Sequence, residues 1–382
     1  MAQTIVSGVQ YSGIWTMNQV NAALAAGTWT GLPQLFSWGN NSSGQLGLGN
    51  TTSYSSPKQI GALNTWSKIA NRAGHNIVTK IDGTLWAFGV NVAGQLGDGT
   101  TTSRSSPVQI GALTTWLTVA GGAYHTAAIK TDGTLWTWGN NNSGQLGLGN
   151  VTARSSPVQV GALTTWLAIA GGAYHTLATK TDGTLWSWGF NNAGQLGLGN
   201  TVDKSSPNQV GALTTWLNIA AGYYHTIAAK TDGTLWAWGN NGQGQLGLGN
   251  ITYYSSPKQV GALTTWYKVA GGFRYSIATK TDGTLWSWGQ NANGQLGLGD
   301  TTVRSSPNQV GVLTTWSAIT GGNYNTAAIK TDGTLWTWGT NSTGGLGLGN
   351  TTSRSSPNQV GSLTSWLTVA AGSYSMIAIK TA

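Results

Sequence analysis

One interval governs this chain. The tryptophan of "LNTW" at Trp66 returns at Trp116, Trp166, Trp216, Trp266, Trp316 and Trp366, always fifty residues on. A second marker, "LFSWG" at Leu35, recurs as "LWAFG" at Leu85 and as L-W-x-W-G at Leu135, Leu185, Leu235, Leu285 and Leu335. Both markers therefore occur seven times, with no insertion between copies. A unit this short cannot bury its apolar face alone, so its copies must pack on one another in a stack or a ring.

Within a unit the period is two. Leu117 and Val119 alternate with Thr118, Ala127 and Ile129 share one face, and Trp136 and Trp138 share another, as strands require. The Trp pairs read as packing residues between units. "SSPVQV" supplies a fourth short strand with Pro157 at its start, where a missing donor is tolerated. Asp132-Gly133 between two alternating runs predicts a two-residue type I′ hairpin. Four strands per unit, seven times over, predict an all-β fold, a seven-bladed β-propeller of four-stranded blades. The chain ends in "IAIKTA" where the next "DGTLW" is due, and the first "LFSWG" has no strand before it. The last blade is thus expected to be closed by N- and C-terminal strands, near Leu35 to Trp38 and Ile377 to Lys380, which removes two open edges. The expected domains are an N-terminal attachment segment, 1-34, and the propeller, 35-382.

Charge narrows the partners. Only 7% of residues are charged, and the net charge is +9. Lysines from Lys80 to Lys380 stand at the hairpin bases, and all but the last have an Asp two residues on. What remains is scattered single basic residues, among them Arg104, Arg154, Lys204, Arg304 and Arg354 at one repeat position, with no stripe to follow a phosphate backbone. No specific nucleic acid is expected. With no cysteine, disulfides and thiolate chemistry are excluded. The start "MAQTIVSGVQ" lacks the layout of a secretory signal, and no apolar run is long enough to span a bilayer, so a soluble chain without membrane insertion is expected.

The segment "VAGGAYHTAAIKTDGTLWTWGNNNSGQLGLGN" from Val119 to Asn150 resembles the repeat of the regulator of chromosome condensation family, through its AGG-x-x-H-T, D-G-x-L-W-x-W-G and N-x-x-G-Q-L-G stretches. The resemblance spans about nine-tenths of the chain and implies a seven-bladed propeller. It implies no single activity, because the family includes a nucleotide exchange factor for a small GTPase, ubiquitin-ligase modules, an ultraviolet-B photoreceptor and an inhibitor of β-lactamase. The photoreceptor's light-sensing Trp, in a G-W-R-H-T segment, has no counterpart here, where the equivalents read "GAYHT", "GYYHT", "GFRYS" and "GNYNT".

Candidate chemistry is sparse. "GQLGLGN" is glycine-rich but is not a phosphate loop and precedes no helix pattern, so it reads as a tight loop between strands. His75, His125, His175 and His225 hold one repeat position, which Tyr275, Asn325 and Ser375 take in the last three units. They read as hydrogen-bonded structural residues, without the neighbouring carboxylate or thiolate that a metal site would need. Outside the turns only Asp98, Asp203 and Asp300 remain, each in a different unit, so no repeated acid and base pair exists. No enzyme activity, no cofactor and no metal are expected.

The units differ mainly after AGG and before SSP. The first of these places gives the candidate binding residues Tyr124, Tyr174, Tyr223, Tyr224, Phe273, Arg274, Tyr275, Tyr324 and Tyr374, an aromatic rim suited to a protein or glycan. Ahead of the repeats, Thr16-Met17-Asn18-Gln19 fits a capping box and Gly27 can end a short helix. Tyr11, Trp15, Val20, Leu24 and Trp29 are the candidate attachment residues, and "YSGIWTMNQVNAALAAGTW" resembles the leader of virion proteins in tailed marine phages. The leading expectation is a non-enzymatic phage structural protein, a tail or capsid appendage in the virion. It would hold other virion proteins through residues 1-34 and turn its propeller to a host-surface protein or glycan. The alternative is a bacterial protein-binding propeller acting as inhibitor, scaffold or exchange-factor-like module.

Overall fold

The structure is a computed structural model and describes residues 32–62 and 65–381. Among these residues there are twenty-eight strands, arranged as seven four-stranded antiparallel sheets. The second blade serves as the type: β7 (Trp116–Gly121), β8 (His125–Lys130), β9 (Leu135–Gly139) and β10 (Arg154–Gln159), in the order β10-β9-β8-β7. The β7 class of strand touches its counterpart in each neighbouring blade and so lines the centre, while the β10 class forms the outer rim.

The ring closes as its two half-units demand. β1 (Gln34–Gly39) pairs with β28 (Ser375–Lys380) from Gln34↔Lys380 to Gly39↔Ser375. β2 (Tyr54–Gln59) and β27 (Trp366–Ala371) flank them, giving the order β2-β1-β28-β27. Residues outside the described set include the expected helix and all five attachment candidates.

The core lies between blades rather than within them. Ile77, Leu85, Leu96 and Ile110 of the first blade form one cluster with Trp116, Val119 and Trp138 of the second, and six further clusters repeat the scheme. Trp138 is fully buried and its Nε1 donates to the Gln95 carbonyl across the interface at 2.9 Å. The loop that carries this carbonyl reads "GQLGDGT" and its counterpart in the second blade "GQLGLGN"; such loops are folded by buried asparagines such as Asn141 of the second blade, whose amide spans Asn150 and Thr152 while its oxygen accepts from Leu146 N. Trp136 is only half-buried. It meets Trp116 edge-on at 6.1 Å, and the Lys130 ammonium rests 3.6 Å from its ring centre and 5.0 Å from that of Trp116. The lysines thus serve as cations against indole faces. Only two ion pairs occur among the described residues, Arg104–Asp98 and Arg304–Asp300.

Two local expectations are corrected. The Asp-Gly hairpin is not type I′, because Gly133 sits at φ +76° while Asp132 has no positive φ. Gly133 N donates to Lys130 O at 2.9 Å and Lys130 N to Thr134 O at 3.0 Å, giving a three-residue loop with a type I turn and a glycine bulge. The cause is the Asp132 carboxylate, which accepts from both the backbone N–H and the hydroxyl of Thr134 and holds its own backbone in the turn. Pro157 is the fourth residue of β10, not its first, and is tolerated because β10 is an outer strand with irregular register there.

The hairpin glycine is constrained twice. At Gly183, φ is +77° and an added Cβ would lie 2.0 Å from the Thr214 carbonyl oxygen. Gly183→Val is expected to cost more than about 3 kcal/mol, and Asn208→Val, on the outer strand, less than about 0.5 kcal/mol. Equal melting temperatures for the two variants would remove this account of the turn.

Candidate functional site

One face of the ring carries the turns that join β7-class to β8-class strands. In five blades these turns present Tyr124, Tyr174, Tyr224, Tyr324 and Tyr374, and the rings form a chain. Tyr124 stacks on Tyr174 at 5.9 Å and Tyr174 on Tyr224 at 6.4 Å. Tyr223 meets Tyr224 at 4.7 Å and Phe273 at 4.6 Å. Phe273 then reaches Tyr324 at 5.5 Å, and Tyr324 reaches Tyr374 at 6.2 Å. The arc spans the second to the seventh blade and opens at the first, where Gly74 replaces the tyrosine. Arg274 is exposed and lies over the Phe273 ring at 5.0 Å. Burial and the neighbouring tyrosines push the Tyr223 phenol up from its ordinary pKa, so this hydroxyl is neutral at physiological pH.

The structure removes one candidate and adds another. Tyr275 is fully buried and belongs to the histidine register, not the rim. Its hydroxyl donates to Asn325 O at 2.6 Å and lies 3.0 Å from the Thr326 hydroxyl, which donates to Gln295 O at 2.8 Å. Phe190 joins the arc, 6.2 Å from Tyr174 and 5.9 Å from Tyr224. Its signal in the sequence was an aromatic residue directly after W-G, found in this unit alone.

Beneath the arc the four histidines are fully buried. Each passes Nε2 to a hydroxyl of the next blade: His75 to Thr126 at 3.2 Å, His125 to Thr176 at 2.9 Å, His175 to Thr226 at 3.4 Å and His225 to Ser276 at 2.9 Å. Those hydroxyls donate onward to Gln95, Gln145, Gln195 and Gln245 carbonyls, so they must accept from the imidazole, which fixes the proton on Nε2. Burial lowers the His75 pKa to about 4 and those of His125, His175 and His225 to about 3. These Nε2 bonds hold neighbouring blades together, while the buried Nδ1 atoms have no hydrogen-bond partner among the described residues. No group of three His, Cys, Asp or Glu placed to bind a metal occurs among the described residues.

Backbone bonds tie the same turns into a belt. Ala123 N donates to Gly172 O, Ala173 N to Tyr223 O, Tyr223 N to Gly272 O, Phe273 N to Gly322 O and Asn323 N to Gly372 O, at 3.2 to 3.3 Å. The first blade stands outside this belt. There the usual glycine is Arg72, and the turn is Ala73-Gly74 with φ +49° and +95°, the two positive values of a type I′ turn. This turn lets β3 (Trp66–Arg72) run one residue longer and pair Arg72 with His75. At the equivalent Gly122 an added Cβ would strike the His125 ring at 2.1 Å, so no other histidine-bearing blade could carry a side chain there. Arg72 crosses the central channel, and its Nη1 donates to Ala221 O of the fourth blade at 3.0 Å.

The described residues form a closed ring of seven repeated sheets with aromatic side chains gathered on one face. The chain belongs to the RCC1-like domain family, whose profile matches residues 34–378. Among solved structures it is similar to human WBSCR16, at 22% identity and TM-score 0.83, covering 92% of this chain and 99% of that one. It is also similar to Prp20p of Saccharomyces cerevisiae, studied with its binding to Gsp1p and histones, at 21% identity, TM-score 0.80 and 92% of each chain. Yeast RCC1 (Prp20) bound to Kap60 gives 18% identity and TM-score 0.80 over 100% of this chain and 96% of that one. At these identities the likeness is one of fold. No curated protein sequence matches the chain. No helix among the described residues is long and apolar enough to cross a membrane.

Proposed function

We propose that this chain is a non-enzymatic protein-binding propeller whose recognition surface is the aromatic arc. The observation that carries this reading is the continuity of the arc over six successive blades, built at one of the two places where otherwise copied units diverge. Rigid, half-buried aromatic side chains give large contact area for little lost entropy, as binding anchors do. The inhibitor, scaffold and exchange-factor-like roles all fall within this reading. A virion role rests on the likeness of residues 11–29 to phage leaders, and nothing in the propeller favours it over the broader one.

The test places a photo-crosslinking amino acid at Tyr174 in the arc or at Leu117, which is exposed on the opposite face. Partner protein is expected to be captured from position 174 alone. For the captured partner, Tyr223→Ala with Phe273→Ala is expected to weaken binding by more than about tenfold, since each anchor contributes more than about 1 kcal/mol. Capture from position 117 alone, or capture of glycan without protein, would overturn this reading.

A further inference from the structure

Among the described residues Arg72 is a cation without a counter-charge. Six of the nine carboxylates are turned into the hairpins, as Asp132 is by Thr134, on the face opposite the arc. The other three stand in outer loops, where Asp98 and Asp300 hold arginines and Asp203 accepts from Asn191 N. None pairs with Arg72. Around it the histidines are neutral, and the turns contribute only carbonyls, phenols and amides. Burial lowers the guanidinium pKa only to about 10, so the charge persists at neutral pH.

The guanidinium has five N–H donors in a planar fork. Among the described residues its side chain makes one hydrogen bond, from Nη1 to Ala221 O. Its other nitrogens have no hydrogen-bond partner among the described residues, and the residue is half-buried. A half-buried charge held by one carbonyl is costly to leave uncompensated, and a planar fork matches two oxygens of one anion. Tyr223, Phe273, Asn323 and Ser373 hold the inward turn positions of the fourth to seventh blades, and Asn323 Nδ2 donates to Ser373 Oγ at 2.9 Å. The mouth above Arg72 is therefore polar on one side and aromatic on the other.

We propose that Arg72 makes the mouth of the central channel a binding site for one small oxyanion, a phosphate or a carboxylate, held by the guanidinium donors that Ala221 leaves free. The break in the backbone belt at the first blade is what admits this side chain to the channel. The site adjoins the aromatic arc at Tyr223 and Phe273, and its test needs no partner protein.

Isothermal titration of the full chain at low ionic strength, with inorganic phosphate and with acetate, tests the site and separates the two oxyanion classes. One ion per chain is expected to bind. Arg72→Gln is expected to weaken binding at least tenfold, and Arg72→Lys to weaken it less. Arg354→Gln, on an outer strand, is expected to leave it unchanged. Asn323→Asp, which sets a carboxylate at the same mouth without touching Arg72, is expected to lower affinity at least threefold. Absence of binding, or equal affinity in Arg72→Gln, would overturn the proposal. If Arg72→Gln does not fold, unchanged affinity in Asn323→Asp overturns it instead.

Discussion

Deleting residues 372 to 382 is expected to leave a chain that does not fold at 25 °C. The deletion removes β28, the strand between β1 and β27, and with it every hydrogen bond that holds the two chain ends in one sheet. Met376, Ile377 and Ile379 are at most 1% exposed, and each contributes about 1.5–3 kcal/mol of burial. Their sum approaches the whole stability of a typical domain, about 5–15 kcal/mol. The damage also spreads to both neighbours. Ile377 and Ile379 pack with Trp66 and Phe88 of the first blade, while Met376 packs with Leu335 of the sixth. Near-ultraviolet circular dichroism of the truncated chain is the check, and a native tryptophan signal with an unchanged melting temperature would refute the closure argument.

Acidification is expected to destabilise the protein well before its carboxylates titrate. The four interblade histidines have an ordinary pKa of 6.5 in the unfolded chain but about 3 to 4 in the ring, because burial opposes their charged form. Above pH 6.5 both states carry neutral imidazole and stability is at its plateau. Below it the unfolded chain takes up protons that the folded ring refuses, so stability falls as pH drops from 6.5 towards 4. At pH 5 the loss is about 2 kcal/mol per histidine. Unfolding there is expected to take up close to four protons, one for each histidine. Urea midpoints measured between pH 7.5 and 5 test this, and His125→Asn, the residue that the sixth unit uses naturally, is expected to reduce the uptake by one. A midpoint that does not move between pH 7 and pH 5 would contradict the buried neutral state.

What could be read from the sequence was whatever repetition amplifies. Strand faces, blade number and the split seventh blade all follow from the period, because an error of one residue would recur in every unit and leave no consistent core. The hairpin type was missed because Asp-Gly was read as backbone geometry alone, whereas the Asp132 side chain decides the turn by capturing Thr134. Tyr275 was placed on the rim by its aromatic neighbours. Its register with His225 already put it between blades, since residues fifty apart share one orientation. Arg72 drew no notice because it lies in the least regular unit, yet the loss of the glycine found at Gly122, Gly172 and Gly222 was the signal. Which rings would touch was not legible, because ring contacts depend on the curvature of the whole ring.

The seam in the seventh blade also sets an orientation. β1 starts and β28 ends at the same end of their shared ladder, Gln34 opposite Lys380, while Gly39 and Ser375 meet at the other end, beside Tyr374 of the arc. Chain joined ahead of residue 34 or after residue 380 thus departs from the face opposite the aromatic one. Gln34 and Lys380, the points at which the ring joins the rest of the chain, thus lie on the far side of the propeller from its tyrosines.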